Sequence, residues 1–290
     1  MSKEGVDELE LVLEPFTVEP YLPDSLVKDE LYEVKIYNVF DPSKFWLTTK
    51  IKELTIFMNY LKQFYDKADN RKTVTRSKIK KGILCIVRRT DTYYRCIIQP
   101  VLLPDDDKVR VFMIDFGLIS NVDVCEVFHI FKKHAKVPRF AIRACLANIL
   151  PRDPSKAWSQ TDLKSFCALI EERQLIAKTC EIDIKRSILF VEIRTFCGAV
   201  CNSVNDTLIE LKVARYIEPD DDFEVCTETM SNYKSKVKYK HLFPTFEAIE
   251  GGIVPYSLWE HDLLKNAVPL DLLYKNYYRY ENNSDVDGTT

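Results

Sequence analysis

Four short apolar segments follow one another between residues 82 and 122, and only short polar breaks separate them. In chain order they read GILCIVRR, YYRCIIQP, KVRVFMID and GLISNV. The β-branched and aromatic residues in these segments favour strands. Short strands at this spacing predict a small, strongly bent barrel in the middle of the chain.

The residues before this barrel predict two strands and a helix. The segment LYEVKIYNVF (31–40) alternates between apolar and polar residues, and WLTTK (46–50) returns as a second strand after the turn-forming DPSKF. From Ile51 to Tyr65 apolar residues recur every three or four positions, which predicts an amphipathic helix.

The residues after the barrel predict a second region of mixed structure. Ser159 and Asp162 have the spacing of a capping box, so a helix is expected to begin there. The other predicted elements are a helical turn and loop in DVCEVFHIFKKHAKVP, one strand over 139–150, a strand pair at 176–184 and 187–194, and a final helix in NDTLIELKVARY.

Composition and charge argue against several classes of protein. The chain has 290 residues and a formal net charge of -3, so no broad basic surface for nucleic acid is expected outside local patches. No signal segment is visible, and no apolar run approaches the roughly 20 residues of a membrane helix, so we expect no membrane partner. The nine cysteines are scattered and odd in number, which is typical of reduced thiols. Cys197 and Cys201 lack a second ligand pair at matching spacing, so neither a metal nor another cofactor is expected.

In their order and spacing, these segments resemble an extended Tudor domain. VFDPSKFWL and the helix at 51–65 are similar to the first strands and the linking helix of that domain's outer barrel. YYRCII and VRVFMIDFG resemble the Tudor core, with its WYR-like triplet and its [YF]-x-I-D-[YF]-G strand, and VPRFAIRACLANILP and VNDTLIELKVAR resemble the second outer half. The resemblance covers about residues 31–217. It implies an α+β, mostly β fold, in which an SH3-like Tudor barrel is inserted into a split OB or staphylococcal-nuclease-like barrel with a long linking helix.

The resemblance, together with the composition of the two ends, divides the chain into parts. These are a flexible lead-in (1–30), the first part of the outer barrel with its linking helix (31–75), the Tudor barrel (76–135), the second part of the outer barrel (136–217), and a partly disordered C-terminal extension (218–290). In the extension, Trp259, Leu263 and Leu264 have helical spacing. They indicate a helix that docks on a partner or packs back on its own domain.

The family recognises arginine, often symmetrically dimethylated, in a box of four aromatic rings and an asparagine. The equivalent positions here are Tyr94 and Phe116 for two rings, Met113 for the third, Arg88 or Arg89 for the fourth, and Leu118 for the asparagine. Each exposed cation–π contact contributes about 0.5–1 kcal/mol, so several rings are needed for useful affinity. With two of four rings, the resemblance predicts an apolar groove that binds a partner's peptide largely independently of arginine methylation.

Two alternatives are kept beside this prediction. One is a reader of symmetric dimethylarginine, which is the common function of the family. The other is an OB-type module for single-stranded RNA, because Arg88, Arg89, Tyr93 and Arg95 interleave basic and aromatic residues.

A catalytic function is not expected. The sequence has no nucleophile elbow, P-loop or dinucleotide fingerprint, and the acidic run at 105–107 is typical of a solvated loop. In the family the corner acid, here Asp115, orders the corner, and we expect it to pair with Arg95 or Arg143.

The resemblance implies an adaptor that works among other proteins. Extended Tudor proteins commonly act in germline granules that organise Piwi proteins and small-RNA silencing. The expected partner is therefore a Piwi-family protein or another Tudor scaffold, in the cytoplasm or in perinuclear germline granules.

Overall fold

The computed structural model describes residues 10–13, 16, 18, 26–99, 107–153, 156–197, 200–218 and 244–252. Its strands are β1 (Leu31–Asp41), β2 (Lys44–Thr48), β3 (Leu84–Arg89), β4 (Thr92–Ile98), β5 (Lys108–Met113), β6 (Leu118–Asp123), β7 (Val127–His129), β8 (Ile142–Leu146), β9 (Ile149–Pro151), β10 (Leu175–Asp183), β11 (Ile188–Cys197), β12 (Val200–Ser203) and β13 (Ala214–Tyr216). Its helices are α1 (Ile51–Tyr65), α2 (Lys132–Ala135), α3 (Gln160–Ile170), α4 (Val204–Glu210) and α5 (Phe246–Glu250).

Five strands close into an outer barrel. β1 pairs with β2 and β10, β2 with β8, β8 with β11, and β11 with β10, which closes the ring. The β8–β11 pair is parallel and the other four pairs are antiparallel. The barrel interior is apolar and includes the fully buried Phe45, Trp158 and Val191.

A second sheet is formed entirely between α1 and β8. Its strand order is β6-β5-β4-β3-β7, and every pair is antiparallel. The chain therefore leaves the outer barrel after β2, builds this inner sheet and returns through β8. The arrangement confirms the predicted fold class of one small barrel inserted into a split barrel. The domain boundaries stay predictions.

Local sequence signals placed two helices correctly. α1 begins at Ile51 and ends at Tyr65, and it buries Leu54, Leu61 and Tyr65 on one face, as its periodicity predicts. The capping box of α3 is present, because the Ser159 hydroxyl accepts from the Asp162 N–H and the Asp162 carboxylate accepts from the Ser159 N–H.

Two predictions for the second outer half were wrong. Residues 139–150 do not form one strand, because the chain turns at Asn148, whose φ is 60°, between β8 and β9. Asparagine tolerates this left-handed conformation better than most residues. The predicted final helix ends at Glu210, and Ala214–Tyr216 instead forms β13, which pairs with β9.

The predicted helical turn and loop before Pro138 was also incomplete. It contains a 3-10 turn at Val124–Glu126, but Val127–His129 then forms β7, which pairs with β3 and completes the inner sheet. A strand of three residues is too short to show a period, so only its partner reveals it.

The described part of the predicted lead-in packs on the body. The Val12 N–H donates to the carbonyl of Ile130, 2.9 Å away. Val12 and Val18 are buried in the core that lies between the two barrels. Burial of these apolar side chains holds an otherwise acidic segment against the junction of the barrels.

Candidate peptide-binding site

The corner between β5 and β6 is fixed by backbone geometry and by the outer barrel. The N–H groups of Phe116 and Gly117 both donate to the carbonyl of Met113. Gly117 has a φ of +70°, and the side chain of Trp46 leaves no room for a Cβ there. Asn38 of β1 donates its side-chain amide to the Gly117 carbonyl, 2.6 Å away. The outer barrel thus holds the corner from two strands.

A buried ion pair fixes the same corner from below. The Arg95 Nε and Asp115 Oδ2 atoms are 2.9 Å apart, and the second guanidinium nitrogen lies 2.6 Å from Asp115 Oδ1. Arg95 also donates to the carbonyls of His134, Val137 and Pro138. The side chains of Arg95 and Asp115 are both fully buried, and their charged groups are bonded to each other. Asp115 therefore has the bonding of a structural residue.

The other expected partner of Asp115 lies elsewhere. Arg143, on β8, pairs with Glu247 and Glu250 of α5 and not with Asp115. These two carboxylates outweigh the effect of burial and hold the pKa of Arg143 above its ordinary value.

Two of the cage-equivalent residues contact each other. The rings of Tyr94 and Phe116 are both half-buried, with centroids 5.5 Å apart and planes at 70°. Leu118, at the start of β6, is half-buried and packs on the same cluster.

Met113 does not line a groove, which corrects the prediction. Its side chain is 1% exposed and lies in the inner core with Val109 and Val111. Alternate residues of a strand share a face, so the position that would hold a cage ring points inward here with Val109 and Val111.

A third ring comes from β1, a strand that holds none of the cage-equivalent positions. Tyr37, on β1, meets Phe116 with ring centroids 4.9 Å apart and planes at 76°. Lys35, two residues earlier, places its Nζ 5.2 Å from the centre of the Tyr37 ring. Partial burial raises the pKa of the Tyr37 phenol, which therefore stays protonated. The alternation of β1 put these side chains on one face, but no sequence signal linked that face to Phe116.

We call Tyr37, Phe116 and Tyr94 the ring row. Its members touch edge to face, at 4.9 and 5.5 Å between centroids. Two rings that sandwich a guanidinium must face each other about 7 Å apart, twice the contact distance of carbon atoms. The ring row is therefore packed on itself and offers outer faces and edges to a ligand.

Arg88 lies near the end of β3 and forms ion pairs with two acidic residues. Its guanidinium lies 2.8 Å from Asp91 and 3.8 Å from Glu126. The basic–aromatic pattern that suggested RNA binding does not form one exposed surface. Tyr93 and Arg95 are both 1% exposed, so of the four residues in that pattern only the two consecutive arginines reach the surface.

A groove begins at the ring row and runs along β1. It has a volume of about 630 Å³ and lies between β1 and the end of α3. Tyr37 lines it together with Val39, Ile51 and Ile170. The charged side chains on its rim are Glu33, Lys35, Glu171, Glu172 and Arg173, all exposed.

Trp259, Leu263 and Leu264 lie outside the described residues. No helix within the described ranges is long and apolar enough to cross a membrane. The same ranges contain no group of three or more histidine, cysteine or acidic side chains that is placed to hold a metal ion.

Residues 26–148 match the family model of the Tudor domain. The chain is 27% identical over 153 residues to Tudor domain-containing protein 6 of Homo sapiens, an alignment that covers 52% of this chain and 7% of that protein. It is 28% identical over 163 residues to Protein tudor of Drosophila melanogaster, covering 56% of this chain and 6% of that protein. The match thus spans less than a tenth of the length of these relatives.

Solved structures share the fold. The extended Tudor domain TD3 from mouse TDRD1, in complex with a MILI peptide containing dimethylarginine, has a TM-score of 0.58 at 18% identity and covers 69% of this chain and 99% of its own. A variant of the Drosophila melanogaster Papi extended Tudor domain, in complex with an unmethylated Piwi N-terminal peptide, has a TM-score of 0.54 at 18% identity. It covers 65% of this chain and 100% of its own.

Proposed function

Because residues 26–148 form a Tudor domain in a chain with the extended Tudor fold, we propose that this protein is a non-catalytic adaptor that binds an extended, arginine-containing peptide of a partner. The observation that carries the proposal is the position of Tyr37. This residue belongs both to the ring row and to the wall of the groove beside β1. One surface can therefore hold an arginine at the rings and the neighbouring peptide chain in the groove.

The charges of the groove suit a basic peptide. Among the described residues on its rim, Glu33, Glu171 and Glu172 are acidic, whereas Lys35 and Arg173 are basic. The net charge of the rim is therefore negative. It attracts an arginine-rich chain, and this attraction weakens as salt is added.

Methylation of the arginine contributes little in this proposal. The ring row has no gap for a guanidinium between two faces, and the leucine at position 118 supplies no amide. A methylated guanidinium gains mainly from additional ring faces, each of which is worth about 0.5–1 kcal/mol at an exposed site. If methylation strengthens the binding by no more than one such contact, the preference for dimethylarginine stays below about fivefold.

The partner that we propose is a Piwi-family protein or another Tudor scaffold, in the cytoplasm or in perinuclear germline granules. Two structural relatives support the first choice, because their structures contain a MILI peptide and a Piwi N-terminal peptide. One of these peptides carries dimethylarginine and the other is unmethylated, so the fold accommodates both.

Calorimetry with one arginine-rich Piwi N-terminal peptide, plain and symmetrically dimethylated, tests the proposal. Both forms are expected to bind, with dissociation constants within about fivefold of each other. A preference above tenfold for the dimethylated form would establish a methylarginine reader instead. Absence of binding by both forms would refute the proposal.

Two variants locate the site. Tyr37→Ala removes the ring that joins the ring row to the groove, and we expect at least a two- to fivefold loss of affinity. Tyr37→Phe keeps the ring and should retain the affinity. Tyr60→Ala, which removes an exposed ring on α1, is the control for surface aromatics. Equal affinity of Tyr37→Ala and wild type would place the peptide elsewhere.

A further inference from the structure

Residues 244–252 dock at the junction of the two barrels. Residues 219–243 separate this segment from the rest of the described chain. Its short helix, α5, buries Phe246, Ala248 and Ile249, which are 4%, 0% and 0% exposed. The segment thus contributes to the core that both barrels share.

The carboxylate of Glu250 holds the segment to the outer barrel. It accepts hydrogen bonds from Arg143 at 2.9 and 2.8 Å and from the Trp46 indole at 3.0 Å. The guanidinium of Arg139 lies 3.5 Å away. Glu247, one turn earlier, forms a second ion pair with Arg143 but is largely exposed.

The backbone of the same segment is bonded to the inner barrel. Gln99, directly after β4, donates its amide to the carbonyls of Ile249 and Glu250, at 3.0 and 2.7 Å. Gly252 follows at a φ of +68°, and a Cβ there would lie 2.9 Å from the Gln99 side chain. Two barrels and one nine-residue segment therefore meet at a single point.

This point is connected to the peptide site through Trp46. The Phe246 ring meets the Trp46 indole edge to face, with centroids 5.2 Å apart. Trp46 also lies against Gly117, in the corner that carries Phe116. The docked segment therefore restrains the tryptophan that holds the corner.

We propose that Trp46, Gln99, Arg139 and Arg143 form a docking cradle for a short acidic helix, that residues 244–252 are its intramolecular ligand, and that occupancy of the cradle orders the Met113–Gly117 corner. Any consequence of this ordering for peptide binding rests on the proposed function, whereas the docking of residues 244–252 does not.

The chemistry of the cradle selects this class of ligand. Burial is the main cause that lowers the pKa of Arg139. Repulsion by the nearby guanidinium of Arg143 lowers it further. A carboxylate between them offsets that repulsion, because its charge raises the pKa of Arg139. Burial alone would raise the pKa of Glu250, but the two arginines outweigh it and hold the pKa below its ordinary value. The cradle therefore accepts an ionised acid, Glu250, together with an aromatic residue one helical turn earlier, Phe246.

A cleavage experiment on the full chain tests the docking. A protease site is placed between residues 219 and 243, and the purified chain is cut there. The C-terminal fragment is expected to stay with the body in size-exclusion chromatography and to be displaced by excess synthetic peptide 244–252. Glu250→Gln should weaken retention at least tenfold, whereas Glu247→Gln, the matched control, should change it less than threefold. Immediate separation of the wild-type fragment, or equal retention of both variants, would overturn the docking.

Hydrogen exchange tests the effect on the corner. In the uncut Glu250→Gln chain, the amides of Phe116 and Gly117 should exchange at least tenfold faster than in wild type. The Glu247→Gln chain should resemble wild type. Unchanged exchange in Glu250→Gln would refute the link to the corner. If wild type retains its fragment but binds no arginine peptide, the proposed function fails while the docking stands.

Discussion

Trp46 of the outer barrel lies so close to the backbone of Gly117 in the inner barrel that a Cβ on Gly117 would be 2.1 Å from Trp46 Cγ. The contact interlocks the two barrels at the edge of the ring row. The orientation of Phe116, the residue immediately before Gly117, therefore depends on the outer barrel as much as on its own strand.

Gly117→Ala is expected to lower the free energy of unfolding by about 2–5 kcal/mol. A positive φ costs an alanine about 1–2 kcal/mol, and overpacking against the indole adds about 1–3 kcal/mol. Gly82→Ala is the control, because Gly82 has a φ of +84° but nothing within 4 Å of the added Cβ. It should lose only the first amount in urea denaturation. Equal losses for the two variants would show that the Trp46 side chain moves away from the added Cβ without lowering the free energy of unfolding.

Arg95→Met is expected to cost about 3–5 kcal/mol, because it leaves the carboxylate of Asp115 buried without its partner. Arg88→Met removes an arginine from an exposed pair with Asp91 and should cost less than about 1 kcal/mol. Thermal and urea unfolding of both variants provide the measurement. A small loss for Arg95→Met would mean that the buried ion pair is not what keeps Asp115 stable in the core.

Lys35→Ala is expected to raise the affinity for an arginine-rich peptide about two- to fivefold. The Lys35 ammonium lies over the Tyr37 ring and repels an incoming guanidinium from the same face. Lys133→Ala removes a lysine whose Nζ lies 4.0 Å from the Phe64 ring centre, on a different aromatic cluster, and should leave the affinity unchanged. Fluorescence anisotropy at low and high salt measures both. An affinity loss in Lys35→Ala would show that the lysine binds the peptide.

The stability of the protein should fall as the pH drops below about 6.5, the ordinary pKa of histidine. Burial, with Lys133 and Arg95 nearby, lowers the pKa of His134 in the folded state to about 3. The unfolded chain therefore binds a proton between these two values that the folded chain excludes, so unfolding is favoured as the pH falls. About 1 kcal/mol is expected to be lost between pH 7.5 and pH 5.5. Urea unfolding at these pH values measures the loss, and His134→Gln should flatten it. An unchanged slope in His134→Gln would assign the pH dependence to other groups.

Periodicity and motif order were enough for the fold class and for much of the inner barrel. The stripe of α1 and the capping box of α3 are local signals, because their residues interact within one or two turns. The position of Asp115 next to a buried arginine also followed from its motif. Which arginine it was depended on the path of the chain, since Arg95 and Arg143 lie on different strands.

The composition of the site could not be predicted in the same way. Tyr37 and Phe116 are far apart in sequence and come together only because β1 of the outer barrel passes the corner of the inner one. Met113 was placed at the surface by its motif position, but the inward face of β5 buries it.

The amino-acid sequence alone determined most of the strands and helices, because these depend on the spacing of apolar residues along the chain. The order in which they build two barrels was implied by the resemblance of its motifs to the extended Tudor domain. Only the tertiary structure decided which side chains surround the candidate site. Tyr37 joins the ring row and Glu250 reaches Trp46 across the junction of the barrels. Contacts of this kind depend on how separate elements pack, and the periodicity of either element carries no information about the other.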